Sequence, residues 1–341
     1  MKRLGEKLAR IRAGRYSRRD FIIADAKDPD MGSGLAGAGP HRQADGGSAR
    51  YRTREEFLDQ IRSIVRQDIV DVMLLSASSL DRLAQEGLFE DSAVQPAIRA
   101  NDTTDIWRVR GGRYDRSPSL PFRSASLSRV MYGTSAPPPA GARVTGTDLG
   151  LYSVTFNNRA EADVASLEAF ARFRAEAAAI GFRYFLEVFN PNVDAGIEPA
   201  MVGHYVNDCI IRCLAGVVAA DRPQFLKIVY NGPRALEELA GFDPGLVVGV
   251  LGGGAGTTRD TFELLHQAER HGARVALFGR KINLAEAPLS IVALMRQVAD
   301  GTIAPADAVK AYHAELKKQG LAPARALEDD LAITEPALKS G

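Results

Sequence analysis

Residues 224–232 read Gln-Phe-Leu-Lys-Ile-Val-Tyr-Asn-Gly, and Pro233 follows at once. The aromatic and aliphatic run predicts a buried strand over 225–230, leading into a helix over 233–239. Lys227 stands in the middle of that strand. Taking an ammonium group out of water is costly unless it is paired or neutralised, so a lysine here needs a reason. A lysine amine that has shed its proton is a nucleophile.

The same strand–helix step repeats on both sides of this stretch. Upstream, a strand over 21–26 precedes a glycine-rich stretch at 31–50, expected to be partly disordered or a lid. A helix over 52–67 follows, with Phe57, Ile61 and Val65 on one stripe and Thr53 as N-cap ahead of Glu56. Then come a strand at 69–75, a helix at 80–86 and a strand at 104–109. A polar, proline-containing stretch at 111–142 interrupts the rhythm. It resumes with a strand at 150–156 and a helix at 160–179, then a strand at 183–189 and a helix at 201–220. Downstream lie a strand at 246–251 and a helix at 258–271, then a strand at 274–278 and helices at 289–299 and 305–318.

Units that all run one way demand parallel strands joined by helices. Eight units over roughly 300 residues predict a (β/α)8 barrel, with a doubly wound sheet as the runner-up. The expected organisation is one domain, residues 20–320, with long loops after strands one and three. Residues 1–19 form a helix with Leu4, Leu8 and Ile11 at helical spacing, packed on the barrel, and residues 321–341 form a polar tail.

Composition narrows the function classes. The 341 residues are 45% hydrophobic and 25% charged, which suits a soluble globular protein. Lys plus Arg (43) and Asp plus Glu (42) nearly cancel, so charge gives no reason to expect nucleic acid or an acidic membrane as partner. No apolar run is long enough to span a bilayer, and the basic N-terminus lacks a signal peptide's apolar core, so a cytoplasmic protein is expected. Cys209 and Cys213 share one helical face without further ligands nearby, and are expected to be buried free thiols. The five histidines are dispersed, and no metal is expected; His204 is the one placed to approach the loop after strand five.

Barrel active sites lie at the C-terminal ends of the strands. Side chains alternate along a strand, so Phe225, Lys227 and Val229 share one face, as do Phe185, Glu187 and Phe189. In the first strand Ile23, Asp25 and Lys27 group together. If the aliphatic faces meet the outer helices, Asp25, Glu187 and Lys227 all point into the barrel mouth. A buried ion network that only fills the interior is the alternative. After strand seven comes Gly252-Gly253-Gly254-Ala255-Gly256-Thr257-Thr258, and after strand eight Gly279-Arg280-Lys281-Ile282. Glycines admit an anion close to backbone N–H groups, and barrels frequently bind phosphate in these two loops. A tight turn is the other reading of the glycines alone. The run does not fit the dinucleotide pattern G-x-G-x-x-G.

Taken together these positions resemble the class I (Schiff-base) aldolases of the (β/α)8 barrel type. The nearest groups are the tagatose-bisphosphate and sulfofructose-phosphate aldolases, with the archaeal-type fructose-bisphosphate aldolases further off. The resemblance runs over residues 20–300 and is best at 225–230 and 251–282. It implies Lys227 as the Schiff-base lysine, Glu187 as the proton-transfer residue, and Asp25 as an orienting or proton-transfer group. Gly253, Gly254, Gly279 and Arg280 would hold a phosphate, with Lys27 as a further substrate contact. The implied reaction cleaves or forms a carbon–carbon bond of a phosphorylated ketose. It releases dihydroxyacetone phosphate or a similar ketone and an aldehyde, and needs no cofactor. A homo-oligomer is expected, with Phe170, Phe173 and the C-terminal helix as a candidate contact. Three departures stand out. The first strand ends Asp-Ala-Lys-Asp rather than Asp-His-Gly, glutamate replaces the tyrosine of the archaeal-type enzymes in strand five, and stretches 31–50 and 111–142 match nothing in the family. Thiolysis or transfer through the same lysine, and a non-catalytic sugar-phosphate-binding barrel, are the alternatives.

Overall fold

A computed structural model describes residues 2–41, 50–135 and 141–340. Eight parallel strands close into a barrel in chain order: β1 (Ile22–Lys27), β2 (Val72–Leu75), β3 (Gln95–Arg99), β4 (Leu149–Thr155), β5 (Arg183–Phe189), β6 (Leu226–Ile228), β7 (Gly249–Leu251) and β8 (Val275–Phe278). Closure is made by β8 on β1, with Ile22 opposite Val275. Strand alternation then sorts the side chains into two layers. Ile22, Val72, Leu151, Phe185, Phe225 and Leu277 fill the barrel interior, where the rings of Phe185 and Phe225 stack 4.4 Å apart. Ile23, Met73, Leu186, Val188 and Ile228 face the helical jacket. Gly249 is required where β7 pairs with β8, because a Cβ there would come within 2.6 Å of the side chain of Val275, its register partner.

The N-terminal helix Arg3–Arg12 closes the floor of the barrel, and its Leu4 and Leu8 join the interior cluster. Its polar face is tied down as well. Lys7 Nζ donates to Asp71 Oδ2 at 2.8 Å, and Arg3 Nε donates to Asp71 Oδ1 at 3.0 Å. The buried Asp71 also accepts the Ile23 N–H at 2.9 Å, so its charge is fully met. Helix Arg54–Gln67 starts at a capping box of Thr53 with Glu56, and Thr258–Arg270 at one of Thr257 with Asp260.

Several expectations are corrected. The third strand is Gln95–Arg99, and Thr104–Ile106 is a turn of 3-10 helix. Pro96 made the true strand look unlike one, while the aromatic and β-branched run around Trp107 looked like one. That run instead forms a small aromatic cluster, with Trp107 edge-on to Tyr114 and Phe122. The stretch 111–142 contains the helix Leu127–Tyr132. The stretch after β1 forms a short helix, Pro29–Ser33, and a 3-10 turn, Gly34–Ala38; the rest of that expectation, residues 42–49, lies outside the described residues. Phe170 and Phe173 do not face a neighbouring subunit: both are buried within the chain against Tyr152 and Tyr184. Among the described residues no helix is long and apolar enough to cross a membrane.

Candidate active site

Register places the chemistry. Ser153 on β4 lies opposite Glu187 on β5, and Glu187 lies opposite Lys227 on β6. Register partners in parallel strands point the same way, so the three side chains form one layer at the C-terminal mouth. Lys227 Nζ is paired with Glu187 Oε1. The other carboxylate oxygen, Oε2, accepts from Ser153 Oγ at 2.7 Å and from Arg99 Nη2 at 3.1 Å. Arg99 ends β3, and it also donates from Nη1 to Ser153 Oγ at 2.7 Å and from Nε to Asp28 Oδ2 at 2.5 Å. Lys227, Glu187, Arg99, Asp28 and Ser153 are all buried.

Two cations and two anions are thus interleaved beneath an open cleft. Burial pushes the Glu187 carboxyl up, but Lys227, Arg99 and the hydrogen bonds from Lys227 and Ser153 outweigh it and leave it below the usual carboxylate range. Glu187 is therefore a carboxylate at neutral pH. Burial alone would weaken the charge on Arg99, and Asp28 and Glu187 reverse that and hold it more firmly protonated.

The mouth is a cleft of about 260 Å³ whose walls include Asp28, Arg99, Glu187, Lys227, Gly253 and Arg280. Gly253 and Gly279, from the loops after β7 and β8, line it too, and Gly253 takes a positive φ of 64° that favours glycine. Gly254 is exposed and is not part of the cleft wall. Arg280 is exposed at the rim of the cleft, and partial desolvation of its guanidinium together with the nearby Arg108 pushes it down to about 10.

Asp25 and Lys27 are not in the mouth. β1 begins with Ile22 facing inward, so Ala24 and Ala26 follow it into the interior and the odd positions turn outward. Asp25 pairs in register with Met73 and Lys27 with Leu75, both of which face the helical jacket. Lys27 Nζ donates to Asp25 Oδ1 at 3.0 Å, and both side chains are fully buried within the barrel wall. Burial raises the Asp25 carboxyl and lowers the Lys27 amine, each partly opposed by the other. Continuing the alternation one step beyond the strand brings Asp28 to the mouth instead. Both faces of β1 carry aliphatic residues, so the rule that aliphatic means outward had nothing to act on there.

Arg99, Asp28 and Ser153 escaped the sequence reading. The inward set Gln95, Ala97 and Arg99 was visible as alternation, but only once the run containing Pro96 is accepted as a strand. His204 sits in the helical jacket with its Nδ1 2.8 Å from Glu238. Cys209 and Cys213 are free and half-buried, and burial pushes the Cys213 thiol up to about 11. Among the described residues no three His, Cys, Asp or Glu side chains gather as they would around a metal ion.

No family model matches the chain, and no curated protein matches it. Solved structures do. An archaeal fructose 1,6-bisphosphate aldolase superposes with a TM-score of 0.59 at 16% identity, over 87% of this chain and 99% of that one. A Schiff-base-forming fructose-1,6-bisphosphate aldolase superposes with a TM-score of 0.58 at 15% identity, over 88% and 100%. The fructose-bisphosphate aldolase of Slackia heliotrinireducens gives a TM-score of 0.63 at 12% identity, over 92% and 90%. Identities this low establish architecture. The chain is a (β/α)8 barrel of the kind on which the archaeal-type, Schiff-base fructose-bisphosphate aldolases are built.

Proposed function

We propose that the protein is a class I aldolase in which Lys227 forms an imine with a phosphorylated ketose and Glu187 moves the protons. The observation that carries this reading is the buried pair of Lys227 and Glu187 at the C-terminal mouth, with Arg99 holding the second carboxylate oxygen. An ion pair that only filled the interior would have no need to stand at the C-terminal end of the barrel, where both side chains line the open cleft. The aldolase fold of the structural neighbours agrees with it.

Glu187 takes a proton from Lys227, and the free amine attacks the ketone carbon. Glu187 gives that proton to the hydroxyl of the adduct, which leaves as water, and a protonated imine remains. Glu187, again a carboxylate, then removes the proton from the hydroxyl on the far carbon of the bond to be broken. That oxygen becomes an aldehyde, the carbon–carbon bond breaks, and its electron pair passes into the iminium to give an enamine. The proton on Glu187 returns to the enamine carbon, and water releases the ketone phosphate and the free lysine. Arg280 with Gly253 and Gly279 holds the phosphate, which fixes the ketone above Lys227. Asp28 and Arg99 position substrate hydroxyls beside Glu187. Synthesis is the same path reversed, and transfer between two aldehydes needs only that the enamine outlive the first product.

The test is reductive trapping. The protein is incubated with dihydroxyacetone phosphate and borohydride, and its peptides are examined by mass spectrometry. An adduct on Lys227, absent in Lys227→Met, is expected. No adduct across a panel of ketose phosphates, or an adduct confined to another lysine, would remove Lys227 from the mechanism. Screening aldehydes as acceptors then distinguishes cleavage from transfer.

A further inference from the structure

The long loop after β3, residues 100–126, is a built element rather than slack chain. Its ends pair as a small antiparallel ribbon, Asp102–Thr103 with Pro121–Phe122. Asp105 accepts from Ser119 Oγ at 2.8 Å and from Thr155 Oγ1 at 3.0 Å, which ties the loop to the end of β4. Arg108 donates its backbone N–H to Gly32 O at 2.7 Å. Contact with the loop after β1 is close enough that a Cβ on Gly32 would lie 2.9 Å from Ile106 O. Two loops from different strands therefore meet backbone to backbone over the mouth.

This contact brings Arg108 into the cleft wall beside Arg280. Neither guanidinium makes an ion pair with a carboxylate among the described residues. Glu335 acts on Arg280 from a distance but is bonded to Lys281 at 2.8 Å. Two like charges lining one cleft without a counter-ion repel each other, and an anion entering between them relieves that repulsion. A phosphate monoester, with three terminal oxygens, can accept from two guanidinium forks at once.

We propose that the loop after β3 supplies Arg108 as a second guanidinium for the phosphate of the substrate, facing Arg280, so that the anion is gripped from both rims of the mouth. The imine reading says which molecule carries the phosphate; the grip itself is measurable without it.

The experiment uses the full chain as wild type, Arg108→Ala, Arg108→Lys and Arg110→Ala. Arg110 is an exposed arginine on the same loop that does not line the cleft, so its variant controls for charge. Inorganic phosphate binding is followed by calorimetry. Borohydride trapping on Lys227 is titrated with dihydroxyacetone phosphate and with unphosphorylated dihydroxyacetone. We expect R108A to weaken phosphate binding, and to raise the phosphate ester needed for half-maximal trapping, by about tenfold, as fits a lost charge-assisted hydrogen bond. Trapping by dihydroxyacetone should be unchanged, R110A should match wild type, and R108K should recover part of the loss. The proposal is overturned if wild type binds no phosphate, if R108A binds it as wild type does, or if R108A loses dihydroxyacetone trapping to the same degree. Selective loss of phosphate binding in R108A, with no ketone trapped even by wild type, would uphold the grip and remove the imine reading.

Discussion

Glu187 divides its two oxygens between two cations, Lys227 on Oε1 and Arg99 on Oε2. Its stability contribution has a definite sign. A carboxyl whose folded value lies below its unfolded value, about 4.3 for glutamate, stabilises the fold above that pH and loses the contribution as pH falls through the folded value. Replacing Arg99 by Met removes one of the groups that oppose burial, so the folded value rises and the loss begins at higher pH. Urea unfolding of R99M between pH 3 and 7 should show the acid loss displaced to higher pH than in wild type, and the acid limb of any activity profile should move with it. Coinciding acid limbs for R99M and wild type would show that Arg99 does not set the charge of Glu187. At this scale the sequence showed Lys227 and Glu187, because a charge inside an apolar strand is conspicuous. It could not show Asp28 in place of Asp25, because the facing of β1 is fixed by its register with β2 and β8.

At the scale of elements, the C-terminal segment is a strap. Helix Leu327–Asp330 and the 3-10 turn Pro336–Ser340 fold back onto the helix Thr258–Arg270 and the loop after β7. Asp260 is the buckle. It caps its own helix through the Thr257 N–H at 2.9 Å, and it accepts the N–H groups of Thr334 at 2.8 Å and Glu335 at 3.2 Å. Asp260→Ala should therefore cost more than an ordinary cap, on the order of 2 kcal/mol or more by urea unfolding. A loss no larger than that of a surface aspartate would mean the strap is not held there. From the sequence this segment read as a polar tail, since the partners of its carbonyl and N–H groups lie about seventy residues away. The third strand was lost for a related reason. Five residues with a proline and two polar ends carry little local signal, and neighbouring strands alone make them a strand.

At the scale of the molecule, the barrel is a cylinder with a plugged floor and an open, charged mouth. The plug is testable: Leu8 is buried among interior residues, so Leu8→Ala should lower stability by about 2–5 kcal/mol in urea unfolding. A loss below about 1 kcal/mol would show that the helix merely rests on the barrel. The parallel alternation, the barrel, the lysine in strand six with its glutamate in strand five, and the glycine and arginine loops after strands seven and eight were all legible along the chain. Each of these is written in local period and composition, which a single strand or helix enforces on its own. Which way β1 faces, the completion of the ion cluster by Arg99 and Asp28, and the meeting of Arg108 and Arg280 in one cleft came from folding alone. Those facts depend on strand register and on loops meeting across the mouth, and contacts between residues far apart in sequence leave no periodic trace along the chain.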